Sequence, residues 1–199
     1  MKLYDTIESS LSPTLYVIHS GKGSQNRRDR TKQFESLNKS LTEILNSAPT
    51  NKFAIENGRK NTLLHTTGDL RALFIDRDLD SRIGLVFDVM LGYRACTING
   101  FVNDDLFADM VSFVASIKTR LKEIHWSDTG TKEYRSIDGW GKKLTNATHL
   151  PLRDHNMNGV NTKLVVQYLD KRLDIVHLLE TNRKKEKEGI EILKRWYTK

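Results

Sequence analysis

The stretch LRALFIDRDLDSRIGLVFDVMLGYRACTINGFVNDDLFADMVSFVASIKTRL, residues 70–121, is the most apolar part of the chain and decides how its fold is read. Ile83, Leu85, Phe87 and Val89 recur at every second position, the period of a strand with one buried face. Residues 70–75 precede them across the turn formers of 77–81, so the two runs read as a hairpin. Leu91-Gly92 permits a tight reversal into residues 93–98, and Asn99-Gly100 marks a further turn. Such connections are too short for crossovers, so the expectation is an antiparallel meander. Asn103 then caps a helix over 103–121, with Asp104 and Asp105 in the first turn, where the helix dipole favours acids. Phe107, Met110, Val111, Val114, Ile117 and Leu121 fall on one stripe of it.

Outward from this core, residues 14–19 (TLYVIH) read as a strand that runs through Ser20-Gly21-Lys22-Gly23-Ser24 into a helix striped by Phe34, Leu37, Leu41 and Leu45. A glycine-lysine loop before a helix start offers free backbone N–H groups to a phosphate, although the P-loop spacing is absent. A short strand is expected at 53–56. Asp138-Gly139 is placed to turn a hairpin between 132–137 and 140–145. Residues 160–182 read as a second helix, with Leu164, Val165, Tyr168, Leu169, Val176 and Leu179 on its apolar side. Ile190, Leu193, Trp196 and Tyr197 continue at helical spacing towards the end of the chain.

The net charge of +7 is unevenly spread. Lys22, Arg27, Arg28, Arg30 and Lys32 face a single Asp29, and residues 183–199 are again basic, whereas residues 69–109 carry eight aspartates against four arginines. Basic flanks suit a polyanion or a complementary subunit, with Lys22, Arg27, Arg28, Arg30, Lys142, Lys143, Lys184, Lys185 and Lys187 as the contacting residues. Trp126, Tyr134, Trp140 and Trp196 stand among these cations and suit partner docking. The single cysteine, Cys96, excludes an intrachain disulfide framework and points to a reducing, cytoplasmic setting. No apolar run approaches the ~20 residues that span a bilayer, and no signal-peptide core is expected at the start.

Chemistry concentrates in Asp76, Asp78 and Asp80. Residues 72–80, ALFIDRDLD, resemble the first motif of haloacid-dehalogenase-type phosphatases, an apolar strand ending in D-x-D. The resemblance stops there: Leu79-Asp80 replaces the usual Gly-Thr, and the later threonine, lysine and acidic motifs do not follow. Alternate residues on a flat strand lie ~6.6 Å apart, so only a tight turn could bring these carboxylates, with Asp88, onto one cation. His149, Asp154 and His155 form no complete ligand pattern.

Together these features give an α+β expectation: an antiparallel β-meander packed by amphipathic helices, with a C-terminal helical arm. Residues 1–159 would be the core domain and 160–199 the arm packed upon it. With no complete catalytic constellation, the reading is a non-catalytic binding or assembly subunit, belonging to a virion or another nucleoprotein machine. It would have protein partners or form a homo-oligomer, with nucleic acid as a further partner, no membrane and no cofactor. The alternative is a metal-dependent nuclease or phosphoesterase that holds a divalent cation at Asp76, Asp78 and Asp80.

Overall fold

A computed structural model describes residues 15–136, 139–152, 162–169, 175–180 and 186–197. The main sheet is parallel throughout, which corrects the antiparallel meander. Its five strands are β1 (Leu15–His19), β2 (Lys52–Glu56), β3 (Ile83–Asp88), β6 (Leu121–Trp126) and β9 (Val176–Leu179), paired in that order. Every residue of β3, and all of β2 after Lys52, is buried on both faces, as a parallel strand covered by crossovers requires. β1 and β2 are joined by α1 (Arg27–Ser47), whose Asn26 side chain caps the first turn and whose Phe34, Leu41 and Leu45 enter the core.

Residues 70–75 are not a strand. They belong to α2 (Thr67–Phe74), opened by a Thr66–Asp69 capping box and burying Leu70, Leu73 and Phe74 at helical spacing. Leu91-Gly92 likewise makes no reversal. It lies inside α3 (Val89–Ala95), which starts where β3 ends because Asp88 Oδ1 accepts the Leu91 amide at 2.7 Å. The expected central helix is present as α4 (Asp104–Ser116), capped by Asn103, with Val114 fully buried; Leu121 already belongs to β6.

Antiparallel pairing survives in a smaller four-stranded sheet built from insertions after β3 and β6. Its order is β4 (Thr97–Ile98), β5 (Phe101–Val102), β8 (Gly139–Leu144) and β7 (Thr131–Ser136). The Asn99-Gly100 turn has both residues at positive φ, 51° and 83°, as a tight hairpin turn demands. β7 and β8 form the expected hairpin, although residues 137 and 138 at its tip lie outside the described ones. The long second helix is reduced to α5 (Thr162–Leu169), and Val176 and Leu179 are in β9, a strand of the main sheet and not part of a helical arm. α6 (Glu186–Tyr197) follows. No helix among the described residues is long and apolar enough to cross a membrane.

One irregularity decides what the sheet presents. β3 and β6 pair at Leu85 with Leu121, then at Val86 with Glu123, so Lys122 is an extra residue on β6. A Cβ on Gly84 would lie 2.3 Å from Lys122 Cγ and 2.6 Å from the Arg120 carbonyl, so the bulge needs glycine there. Without the extra residue, Asp88 would stand beside Ile124. With it, Asp88 stands beside His125. Because side chains alternate between faces, that single step swaps an apolar neighbour for an imidazole on the face Asp88 occupies.

Candidate metal centre

The register places a polar group at the carboxyl end of each parallel strand. His19 is paired with Glu56 and Glu56 with Val86; Asp88, two residues beyond Val86, is paired with His125, and His125 with Leu178. Glu180, two beyond Leu178, donates its amide to the Trp126 carbonyl at 3.0 Å. Steps of two preserve the face, so His19, Glu56, Asp88, His125 and Glu180 all point to one side of the sheet.

Four of them converge. Glu56, Asp88, His125 and Glu180 each offer one ligand atom, and these atoms lie within 4.8 Å of one another. His125 Nδ1 sits 3.1 Å from Glu56 Oε1 and 3.2 Å from Glu180 Oε1. The outer oxygens of both glutamates face histidines: Glu56 Oε2 is 2.8 Å from His19 Nδ1, and Glu180 Oε2 is 3.6 Å from His149 Nδ1. On the far side of the ring, His125 Nε2 is 3.3 Å from Glu123 Oε1, a contact that lacks hydrogen-bond geometry. The Asn57 side chain clamps both backbone groups of Asp88, accepting its amide at 2.7 Å and donating to its carbonyl at 3.0 Å.

The charges are frustrated as they stand. Burial raises the Asp88 carboxyl to about 7, with Glu180 and Glu56 adding repulsion. His125 is raised to about 10 by hydrogen bonds to Glu180 and Glu56, which outweigh the desolvation that opposes them. The same contact with His125 holds the Glu180 carboxyl below its ordinary range. Asp88 Oδ2 is buried without a hydrogen-bond partner. An orphaned buried carboxylate oxygen beside two more carboxylates and an imidazole is what a divalent cation satisfies. Three oxygens and one nitrogen are also a donor set that suits zinc, magnesium or manganese.

The rim of the site is fixed by polar contacts between successive loops. Gly23 donates to the Asn61 carbonyl at 2.8 Å and Leu63 to the Gly21 carbonyl at 3.0 Å, tying the loop after β1 to the loop after β2. Asp69 accepts Arg30 Nε at 2.9 Å together with the Thr66 hydroxyl and amide. After β6, Ser127, Asp128 and Thr129 are buried, Arg94 Nη1 donates to Thr129 Oγ1 at 2.6 Å, and Asp128 and Leu150 exchange backbone hydrogen bonds at 2.9 Å. That bridge holds the neighbouring His149, at φ 50°, beside Glu180.

The residues singled out in the sequence lie elsewhere. Asp76, Asp78 and Asp80 are exposed and precede β3, so they sit at the amino end of the strands, opposite the cluster. Asp80 pairs with Arg82 at 2.8 Å, and that hydrogen bond lowers its carboxyl to about 2. Trp126 is fully buried within β6 and donates its indole N–H to His177 Nδ1 at 3.0 Å, so it is enclosed and not a docking surface. Tyr134 is half exposed against Phe101. Arg30 is engaged with Asp69, the Ser24 carbonyl and the Leu63 carbonyl. Lys22 and Arg28 are exposed near the start of α1, Lys142 and Lys143 lie on β8, and Lys187 is exposed on α6. Lys184, Lys185, Asp154 and His155 lie outside the described residues, as do the side chains of Arg27, Trp140 and Trp196.

Parallel strands that place their functional groups at the carboxyl ends, linked by helical crossovers, belong to the architecture of a TIM barrel, here with five parallel strands among the described residues. Solved structures carry the same fold. A D-tagatose 3-epimerase-like protein matches with a TM-score of 0.62 at 20% identity, covering 96% of this chain and 66% of its own. The IOLI protein with a bound zinc atom matches with a TM-score of 0.61 at 15% identity, over 98% of this chain and 65% of its own. A xylose isomerase-like TIM barrel protein from Mycobacterium smegmatis, in complex with magnesium, matches with a TM-score of 0.59 at 13% identity, over 99% and 65%. This chain thus spans about two thirds of the length of each. No family model and no curated protein matches the sequence.

These findings overturn the assembly reading. The fold is shared with metal-bound and epimerase-like barrels, and the chain brings together three buried groups and the half-buried Glu180 in a cluster that could hold a metal ion, which a non-catalytic scaffold does not require. The fold and the four-residue cluster favour the metal-dependent alternative over the expectations of a non-catalytic chain and a virion subunit.

Proposed function

We propose that the protein is a divalent-metal-dependent enzyme that isomerises or epimerises a small polyhydroxylated carbonyl compound of the sugar class. The observation that carries this reading is the convergence of Glu56, Asp88, His125 and Glu180 at the carboxyl ends of parallel strands. The three likenesses, two of them to metal-bound proteins and two to proteins named for sugar epimerase or isomerase chemistry, support it.

In this reading the four residues hold the cation, which when bound polarises a carbonyl oxygen and so acidifies the adjacent carbon. The rest falls to the chain. Asp88 gives up the proton that burial imposes on it, and His125 becomes neutral and presents Nδ1. Glu56 and Glu180, on opposite sides of His125, are the carboxylates that would take up and return a substrate proton. The Asp69–Arg30 and Asp128–Leu150 contacts tie together the loops around the cluster.

The test is solvent exchange. Purified protein with Mn²⁺, Mg²⁺ or Zn²⁺ is incubated with ketoses and cyclic polyol ketones in D₂O and followed by NMR. Deuterium entering the carbon next to the carbonyl, abolished by chelation and by Glu180→Gln, is expected. Metal-loaded protein that exchanges none of them but cleaves phosphomonoesters or phosphodiesters would transfer the site to phosphoryl chemistry.

A further inference from the structure

The two glutamates share one arrangement, tighter at Glu56 than at Glu180. Each keeps Oε1 on His125 Nδ1, at 3.1 and 3.2 Å, and each turns Oε2 to an imidazole outside the ligand set. Those imidazoles come from unrelated places: His19 ends β1, and His149 sits in the segment bridged to the loop after β6. Both side chains are open to solvent, 81% and 53% exposed, so neither is there to fill the core. His149 also adopts φ 50°, in the left-handed region.

The geometry points to His19 and His149 as positioning residues that hold Glu56 and Glu180 to one oxygen each on the metal, so that two coordination positions remain for substrate. The inference rests on the four-ligand reading. A carboxylate free to rotate can chelate a cation with both oxygens; one whose second oxygen is drawn to an imidazole, as Glu56 Oε2 is to His19 Nδ1 at 2.8 Å and Glu180 Oε2 is to His149 Nδ1 at 3.6 Å, loses that contact when it does so. Four one-atom ligands on a cation that prefers six leave roughly two positions, enough for adjacent hydroxyl and carbonyl oxygens of a sugar. If both glutamates turned to two-oxygen binding, all six positions would be filled by protein and no substrate oxygen could enter.

The experiment uses Mn²⁺ alone as the probe and needs no substrate. Water-proton relaxation of the Mn²⁺-loaded chain counts exchangeable waters on the ion, and titration gives its affinity. The wild type should show about two waters, His19→Ala and His149→Ala about one each, and the double variant about none. His19→Asn and His149→Asn, whose side-chain amide can donate from the place of Nδ1, should restore the wild-type count. Circular dichroism checks that the variants fold; both sites are surface-exposed. An unchanged count in folded alanine variants overturns the proposal and leaves the four-ligand centre standing. Loss of Mn²⁺ binding in either alanine variant also overturns it, because the histidine would then be a ligand. A wild type that binds no Mn²⁺ overturns the proposal together with the metal centre.

Discussion

Asp88→Asn should stabilise the metal-free protein while destroying its metal site. Asp88 is fully buried beside Glu56 and Glu180, and burial raises its carboxyl from the ordinary 3.8 to about 7. A folded-state pKa above the unfolded one means that the native chain binds the extra proton. Stability is therefore lost as pH rises through the interval between about 4 and about 7, and the loss is complete above it. At ~1.4 kcal/mol for each tenfold change in proton affinity, a threefold-decade change corresponds to ~4 kcal/mol, an upper figure because the neighbouring acids and His125 titrate with it. Asparagine keeps the shape, and its Oδ1 can still accept the Leu91 amide that starts α3. Urea unfolding with a chelator present, at pH 5 and pH 8, should show the variant ~1–4 kcal/mol more stable than wild type at pH 8, with most of that gap gone at pH 5. Mn²⁺ should then raise the stability of the wild type and leave the variant unmoved. A variant no more stable at pH 8, or one with the pH dependence of the wild type, would refute the argument that Asp88 is held against its charge for a cation.

Val114→Asp places an unpaired charge at a fully buried position of α4, and its cost of several kcal/mol should leave the chain insoluble or unable to melt cooperatively. Metal affinity should climb with pH. Below about 7 binding should release about two protons, from Asp88 and His125, and between about 7 and about 10 about one, as calorimetry in buffers of different ionisation heat will count. Gly84→Val should disturb the bulge that brings His125 beside Asp88, so metal binding should weaken by more than tenfold even in preparations that fold, as titration of the purified variant would show. Replacing Asp76, Asp78 and Asp80 together by asparagine should leave Mn²⁺ affinity within about twofold of wild type, because the turn lies at the other end of the sheet; a large loss in the same titration would return the site to that turn.

What the sequence made legible was local. β1, α1, β2, α4 and the Asn99-Gly100 turn follow from patterns within one element, and the 131–144 hairpin from its flanking alternation. Parallel pairing was not legible, because it joins strands through long crossovers and leaves no turn signal between partners. The apolar run in 70–75 fits either period when read alone, and only the Thr66–Asp69 capping box marks it as helical. Val176 and Leu179 continue the helical spacing of α5, so β9 was absorbed into a helix. The site was dispersed in the same way: Glu56 and His125 touch across 69 positions. A signal was nonetheless present. FAIE, IGLVFD, LKEIH and VHLLE are four apolar strands that each run into a carboxylate or an imidazole, the mark of parallel strands converging on one polar end. The exposed Asp76-x-Asp78-x-Asp80 turn drew attention because its acids are adjacent in sequence, whereas a buried ligand set is assembled by register.

The most direct measurement is the stoichiometry of Mn²⁺ binding by isothermal titration, on the wild type and on Glu56→Gln, His125→Ala and Glu180→Gln. One ion per chain in the wild type, with affinity lost by orders of magnitude in each variant, is the result expected of a centre built by strand ends. No saturable binding by the folded wild type, or binding that persists undiminished in all three variants, would contradict it.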